Sequence, residues 1–274
     1  MTFPNAHAKA RRRKEIQVSK LQWFFAALRL CVILFLLSFS AAVANAQTNG
    51  LSDAEIQGRQ LAQQLCNASP TTNFFQGGHL NIRDGKGNRV DVPILVSSET
   101  SVSNWKTTYQ IPSGENACVL YVVHGASQPN QYFFYKGLLK KTETQMFVDL
   151  RANQTLTPFA NSDFWLCDLG LEFFHWPAQK VLKKEIKRSR GCTVLESANP
   201  NPATKGYSRV VSWIDSESGG IVQAQAYDFN GKLLKEFAPK SFKKVNGQWE
   251  LQEMQINNVQ TGSRTRLDFD LKAK

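Results

Sequence analysis

Apolar residues recur along this chain in two rhythms, one helical and confined to a short stretch, the other an alternation that fills most of the remaining chain. Ser52-Asp53-Ala54-Glu55 has the spacing of a capping box, in which Ser52 and Glu55 each satisfy the other's free backbone N–H. Ala54, Gly58, Leu61, Ala62 and Leu65 then fall at helical spacing as far as Cys66, giving one amphipathic helix of about four turns. Gly58 weakens that helix by roughly 1 kcal/mol relative to alanine, and its lack of a side chain allows close packing.

Beyond the helix the period is two. Val90, Val92, Ile94 and Val96 share a face after the turn-rich Asp84-Gly85-Lys86-Gly87-Asn88, and Trp105, Thr107, Tyr109 and Ile111 alternate in the same way. Residues 118–123 and 132–135 are apolar on both faces, as suits strands covered on both sides. A break at residues 158–162 precedes an apolar stretch, residues 164–176, ended by Pro177; it reads as a short helix or lid with Asp163 as its cap. The last hundred residues are hairpins. Residues 207–215 and 221–229 flank Ser216-Glu217-Ser218-Gly219-Gly220, Asn230-Gly231 and Asn246-Gly247 are turn signals, and residues 267–271 alternate in a closing strand. Trp249 and Leu251 lie on one face but Met254 and Ile256 on the other, a slip of phase that predicts a bulge.

About ten antiparallel strands therefore accompany two or three short helices. So few helices cannot cover the apolar face of so wide a sheet. The sheet must curl, and its concave side is filled by side chains, by the helices or by a ligand. Helices across the mouth of a curled sheet make a natural holder for an apolar molecule.

Charge changes this picture little. The 33 basic residues exceed the 22 acidic ones by +11, which invites a nucleic-acid reading. Seven of those cations and one acid lie in the first 46 residues, around the apolar run 30–39 that leads to Ala44-Asn45-Ala46. A basic leader, an apolar core and a small-x-small triplet form the secretory cleavage pattern. Residues 1–46 are expected to be a signal peptide cut before Gln47, and residues 47–274 one mature domain with no linker inside it. An uncleaved anchor over residues 21–43 is the alternative, and Arg29 interrupts it. Gln47 is not the cysteine to which a lipid anchor attaches. The mature part carries only +5, its positive density concentrated in residues 180–190 and in Lys240, Lys243 and Lys244. These cations alternate with apolar residues and read as solvated strand faces with a weak attraction for an anionic membrane surface. A hydrophobic fraction of 42% with 11% aromatic residues excludes a disordered chain.

Cys31 leaves with the leader, and Cys66, Cys118, Cys167 and Cys192 remain. Four cysteines in an exported chain fit two disulfides. Cys167 with Cys192 is the preferred pair, closing a loop of about 25 residues for roughly 3 kcal/mol; Cys66 with Cys118 is the second. No histidine has metal-ligand spacing to a cysteine, so no metal is expected. Glu217-Ser218-Gly219-Gly220 superficially resembles a serine-protease nucleophile segment with His124 as base, but Ser216 stands where the preceding glycine belongs and the segment lies between strands. Asp168 and Glu172 sit one helical turn apart and read as the solvated side of the apolar stretch. No constellation demands an enzyme, and no cofactor is implied.

From Phe159 onward the chain resembles the LolA-like outer-membrane lipoprotein-sorting proteins of Gram-negative bacteria. Phe159-Ala160-Asn161-Ser162-Asp163-Phe164-Trp165 is similar to that family's Phe-x-x-Ser-Asp-Phe segment. Tyr207-Ser208-Arg209-Val210-Val211-Ser212-Trp213-Ile214-Asp215 resembles its Tyr-x-x-Val-x-x-Trp-Ile-Asp strand, and Tyr227-Asp228-Phe229-Asn230-Gly231-Lys232-Leu233-Leu234-Lys235 its Tyr-Asp-x-x-Gly-Lys-x-x-Lys hairpin. The resemblance implies a mainly β fold: a strongly curved antiparallel half-barrel with an N-terminal helix and a short helical lid over an apolar cavity. It also implies a non-catalytic periplasmic carrier of lipoprotein acyl chains or other lipids between inner and outer membranes. Its partners would be membrane-bound donor and acceptor proteins, with transient contact at a membrane surface and none with nucleic acid. The alternative is an envelope interaction protein using the same half-barrel as a binding module. Candidate cavity residues are Trp105, Tyr109, Phe133, Phe164, Trp165, Leu169, Phe174 and Trp213. Four mature cysteines and a long basic leader depart from the carrier pattern, and no residue is assigned to the carriers' lid-latching arginine.

Overall fold

The computed structural model describes residues 50–125, 128–137, 148–150, 152–245 and 247–271, so the expected leader, residues 1–46, lies outside the described residues. The capping box forms as the sequence predicts: the Ser52 N–H and hydroxyl both donate to Glu55 Oε2, at 2.8 and 2.7 Å, at the start of helix α1 (Asp53–Cys66).

Thirteen strands among the described residues form one antiparallel sheet. They are β1 (Phe74–Arg83), β2 (Arg89–Thr100), β3 (Asn104–Ile111), β4 (Cys118–Gly125), β5 (Gln128–Lys136), β6 (Val148–Leu150), β7 (Ala178–Lys187), β8 (Arg190–Ala198), β9 (Tyr207–Asp215), β10 (Ile221–Asp228), β11 (Leu233–Val245), β12 (Gln248–Asn258) and β13 (Ser263–Phe269). Their order is β6-β5-β4-β3-β2-β1-β13-β12-β11-β10-β9-β8-β7. The last strand thus pairs with the first, Leu80 facing Leu267, and joins two meanders into one surface. Among the described residues the edges β6 and β7 do not pair, so the sheet is open.

Alternation decides which face is buried. Val92, Ile94 and Val96 of β2, Tyr109 and Ile111 of β3, and Leu80 of β1 all join one apolar core with α1 and the segment between β6 and β7. The expected bulge is present: the β11–β12 register shifts on either side of Ser241, opposite residues 251–254. Asp84 closes the β1–β2 turn by accepting the Lys86 and Asn88 N–H groups at 2.9 and 2.8 Å, which makes it a hairpin residue.

Helix α1 lies against edge strand β7, and Gly58 sets how closely. A Cβ at Gly58 would stand 2.5 Å from the Lys180 backbone nitrogen and 2.6 Å from Gln179 carbonyl carbon, so any side chain there pushes helix and strand apart. Overpacking of this kind costs about 1–3 kcal/mol, set against about 1 kcal/mol of gained helix propensity. Gly58→Val, which combines a larger clash with poorer helix propensity, is expected to lower stability by about 3 kcal/mol in urea unfolding, whereas Gln57→Ala on the exposed face leaves it unchanged.

Candidate functional site

The segment between β6 and β7 is built of short turns: 3-10 turns at Ala152–Leu156, Phe159–Asn161 and Glu172–His175, and the single-turn helix α2 (Leu166–Leu169). Three of its residues without the freedom of glycine, Ala160, Asn161 and Leu171, hold positive φ of 51–58°. Such backbone persists only where surroundings over-determine it. Here they do. Phe159, Phe164, Leu166, Leu169, Phe173 and Phe174 are all buried against the sheet.

One cation fastens this lid. Lys235 of β11 is 1% exposed; its Nζ donates to the Asp163 carbonyl at 2.7 Å and lies 3.3 Å from Asp168 Oδ2. The same ammonium sits 3.5 Å from the centroid of the Trp165 ring, which stacks on Tyr207 at 4.7 Å. The Asp168 carboxylate accepts the Tyr207 hydroxyl at 2.9 and 3.1 Å and the Trp165 N–H at 2.8 Å. Burial pulls the Lys235 ammonium below its ordinary range, and the nearby Asp168 carboxylate opposes that shift. Asp163 is not the helix cap that the sequence suggests. Its carboxylate takes the Ser263 and Thr265 hydroxyls, and its N–H donates to Thr265 Oγ1 at 2.9 Å, which pins the lid to β13; Asp168 caps α2 instead.

The other half of the lid is tied by neutral groups. Gln179 Nε2 donates to the Phe173 and Trp176 carbonyls at 2.9 and 2.8 Å, and its Oε1 accepts Ser197 Oγ at 2.7 Å. Tyr109 of β3 donates to the Leu169 carbonyl at 3.1 Å, and Asn130 of β5 to the Gly170 carbonyl at 2.7 Å. Tyr132 of β5 donates to Glu172 Oε2 at 2.8 Å. Gly170 must be glycine here, because a Cβ would lie 2.1 Å from the Tyr132 hydroxyl.

These bonds measure the curl of the sheet. Tyr132 on β5 and Tyr207 on β9 are nine strand positions apart, about 43 Å in a flat sheet. Both reach carboxylates, Glu172 and Asp168, only four residues apart in the chain, which span at most about 14 Å. The sheet therefore bends around the lid.

The candidate cavity residues separate on this geometry. Tyr109, Phe164, Trp165, Leu169 and Phe174 lie together in the lid–sheet core. Trp105 points to the same side at the far end of β3 and stacks on His124 at 4.8 Å. Phe133 alternates with Tyr132 and Phe134, which join the core, so it faces the other way. Trp213 packs with Cys192, Val194 and Val211 in a separate cluster, its indole N–H on Glu185 and Lys187 Nζ 4.3 Å from its ring. Phe133 and Trp213 are outer-face residues, placed there by the parity of their strands.

The thiols are corrected too. All four of Cys66, Cys118, Cys167 and Cys192 are free. Cys167 lies in the lid–sheet core and Cys192 in the outer-face cluster, on opposite sides of the sheet, which excludes their pairing in this fold. Burial raises the thiol of Cys66 to about 12 and that of Cys118 to about 11, so these are inert apolar residues. Asp168 and Glu172, expected on a solvated side, turn inward. Ser218 donates to Asp215 at 2.6 Å inside the β9–β10 turn, and desolvation drops His124 to about 4, so neither forms a nucleophile–base pair. Among the described residues no group of three His, Cys, Asp or Glu could hold a metal, and no helix is long and apolar enough to cross a membrane.

An open, curled antiparallel sheet with a latched lid on its concave face defines a class of fold. A DUF1329 family protein from Desulfovibrio piger shares it at a TM-score of 0.63 and 17% identity, over 80% of this chain and 92% of that one. An outer membrane lipoprotein-sorting protein domain from Vibrio parahaemolyticus matches at 0.63 and 18%, over 79% and 92%, and a LolA superfamily protein from Nitrosomonas europaea at 0.53 and 15%, over 81% and 94%. The fold is that of the LolA-like proteins, as the residues from Phe159 onward suggest. The chain belongs to the family whose model spans residues 123–272 and is described as "-like: Uncharacterized protein". No curated protein matches it.

Of the residues that tie the lid, Lys235, Asn130, Tyr132 and Gln179 are not among the sequence candidates, and Glu172 is read there as solvated. Lys235 did carry a signal: it stands at an inward position of β11, two residues before the buried Phe237.

Two outcomes are expected of this site. Lys235→Met leaves the Asp168 carboxylate without its cation and is expected to cost about 3–5 kcal/mol, while Lys235→Met with Asp168→Asn recovers part of that loss; urea midpoints of the four proteins give the coupling. Desolvation lifts the Glu172 carboxyl from 4.5 to about 7. The unfolded chain releases that proton near pH 4.5 and the folded one near 7, so stability falls as pH rises through this window, by at most ~3 kcal/mol. Glu172→Gln is expected to flatten the slope of stability between pH 5 and 7.5.

Proposed function

We propose that this chain is an exported, non-catalytic binding protein that shields the acyl chains of a lipid or lipoprotein in transit across the periplasm. The observation that carries the reading is the lid. A short segment of turns covers the apolar concave face of an open sheet and is held there by a few polar bonds, so it can exchange its own phenylalanines for a guest of the same chemistry. Burial of hydrocarbon supplies about 0.8 kcal/mol per CH₂, enough for useful affinity without any charged contact to the guest. The fold shared with a lipoprotein-sorting domain supports the reading, as does the secretory pattern of residues 1–46. Membrane-bound donor and acceptor proteins complete the proposal.

A second reading has its own observation. Phe164 and Phe174 already fill the concave side, which favours an envelope interaction module that presents its outer surface to a partner. Native mass spectrometry of protein recovered from the cell envelope separates the two. The carrier reading expects a species beginning at Gln47 with added lipid or acylated peptide, and a fluorescent fatty acid that the Lys235→Met variant releases faster. A clean apo mass with no fatty-acid binding would overturn it in favour of the interaction module.

A further inference from the structure

Two basic segments far apart in the chain meet on the outside of the molecule. The β7–β8 turn is a two-residue loop, Arg188-Ser189, with φ of 49° and 61°. That is the left-handed geometry normally given to Asn-Gly, here adopted by residues that pay for it in strain. The Arg188 guanidinium reaches across to the Pro239 carbonyl of β11 at 2.9 Å. This bond brings the β7–β8 turn to Pro239, one residue before Lys240 in β11, where Lys240 and Lys244 are exposed and have no ion-pair partner among the described residues.

The carboxylates beside the β7–β8 turn are engaged there, and Glu250 of β12 stands opposite Lys243 across the β11–β12 pair. Glu185 is held by Lys183 at 2.8 Å and by the Trp213 indole, and Asp215 and Glu217 lie 3.5 and 3.7 Å from Arg190. Between the cations stand apolar side chains that a water-facing surface has no use for: Ile186 is 78% exposed, Trp249 50% and Phe242 41%. Trp249 is the register partner of Lys244, and Phe242 precedes Lys244 by two, so ring and ammonium groups share a face.

We infer that this rim, from Arg188 to Trp249, is a docking surface for an anionic lipid bilayer. Lipid headgroups match the chemistry: phosphates meet Arg188, Lys240 and Lys244, and the aromatic and aliphatic tips enter the headgroup–acyl boundary, where tryptophan is favoured. A nucleic acid would use the cations and the rings but leave Ile186 in water. The inference goes beyond the carrier reading and stands without it, since it concerns exposed side chains at one end of the sheet and not the buried residues beneath the lid.

The test is co-sedimentation of the exported protein, its N-terminus as the cell leaves it, with intact vesicles of phosphatidylethanolamine and phosphatidylglycerol or of phosphatidylcholine alone. Binding is expected only to the anionic vesicles, falling with salt, with Trp249 emission shifted to the blue. The triple variant Arg188→Gln, Lys240→Gln, Lys244→Gln is expected to bind on the order of a hundredfold more weakly, at about 1 kcal/mol per cation. Ile186→Ser with Trp249→Ser is expected to lose the fluorescence shift and much of the remaining affinity, with urea midpoints unchanged in both variants. Equal binding to the two kinds of vesicle, or anionic binding that survives the triple variant, would overturn the inference. Lipid found by native mass spectrometry in a variant that no longer binds vesicles would leave the carrier reading intact, and vesicle binding by a protein without internal lipid would separate them the other way.

Discussion

Lys235 places an ammonium group where the alternation of β11 calls for hydrocarbon, and the lid is organised around satisfying it. A charge removed from water is tolerated only when it is paired and hydrogen-bonded. Asp168 supplies the charge, Asp163 a carbonyl, and Trp165 and Tyr207 the ring faces. Each partner has its own second bond, to β9, to β13 or within α2, so the cation fixes the position of a segment that has little regular structure of its own. An apolar residue at 235 would pack as well; it would not tell the lid where to stop.

The curl of the sheet and the lid depend on each other. A flat sheet of this width would expose its apolar face, because one helix and a run of short turns cannot cover it. Bent round the lid, the same strands bury Val96, Leu120, Ile256 and Leu267 completely. The pairing of β1 with β13 makes this geometry possible, since it joins the two meanders into one continuous sheet with β6 and β7 at its edges. Edge β7 is blunted by α1, through Gly58, and by its lysines.

Much of this fold could be read from alternation and turn chemistry, which are local. The capping box at Ser52, the Asp84 turn, the bulge near Ser241 and the need for the sheet to curl all come from residues within a few positions of one another. The site was less legible for the same reason. Phe133 and Trp213 sit in strongly apolar strands, where type does not reveal the face; only the register with Tyr121 and with Val194 does. The cysteine pairing failed because spacing along the chain ignores which side of a sheet each residue occupies. Asp168 and Glu172 looked solvated because their partners, Lys235, Tyr207 and Tyr132, lie 39 to 67 residues away. Buried polar groups are satisfied by long-range contacts, and a sequence gives only one half of each.

The two halves of the lid are held by unequal chemistry, and that inequality decides how it can open. Around Asp163 and Asp168 the bonds are charge-assisted, and separating Lys235 from Asp168 strands an ion in a dry site at a cost of about 3–5 kcal/mol. From Leu169 to Trp176 the ties to Tyr109, Asn130 and Gln179 are neutral, worth about 1 kcal/mol each once water can replace them. Between the halves stand Gly170, pressed against Tyr132, and Leu171 at a φ of 51°. Loosening the second half relieves that left-handed backbone and gives Glu172 access to water, where its carboxyl ionises readily at neutral pH. The first half also holds left-handed backbone, at Ala160 and Asn161, but moving it breaks the buried ion pair. In the carrier reading proposed above, a guest at the concave face meets least resistance where it displaces Phe173 and Phe174, with the Lys235 latch as the fixed point about which the rest of the lid yields.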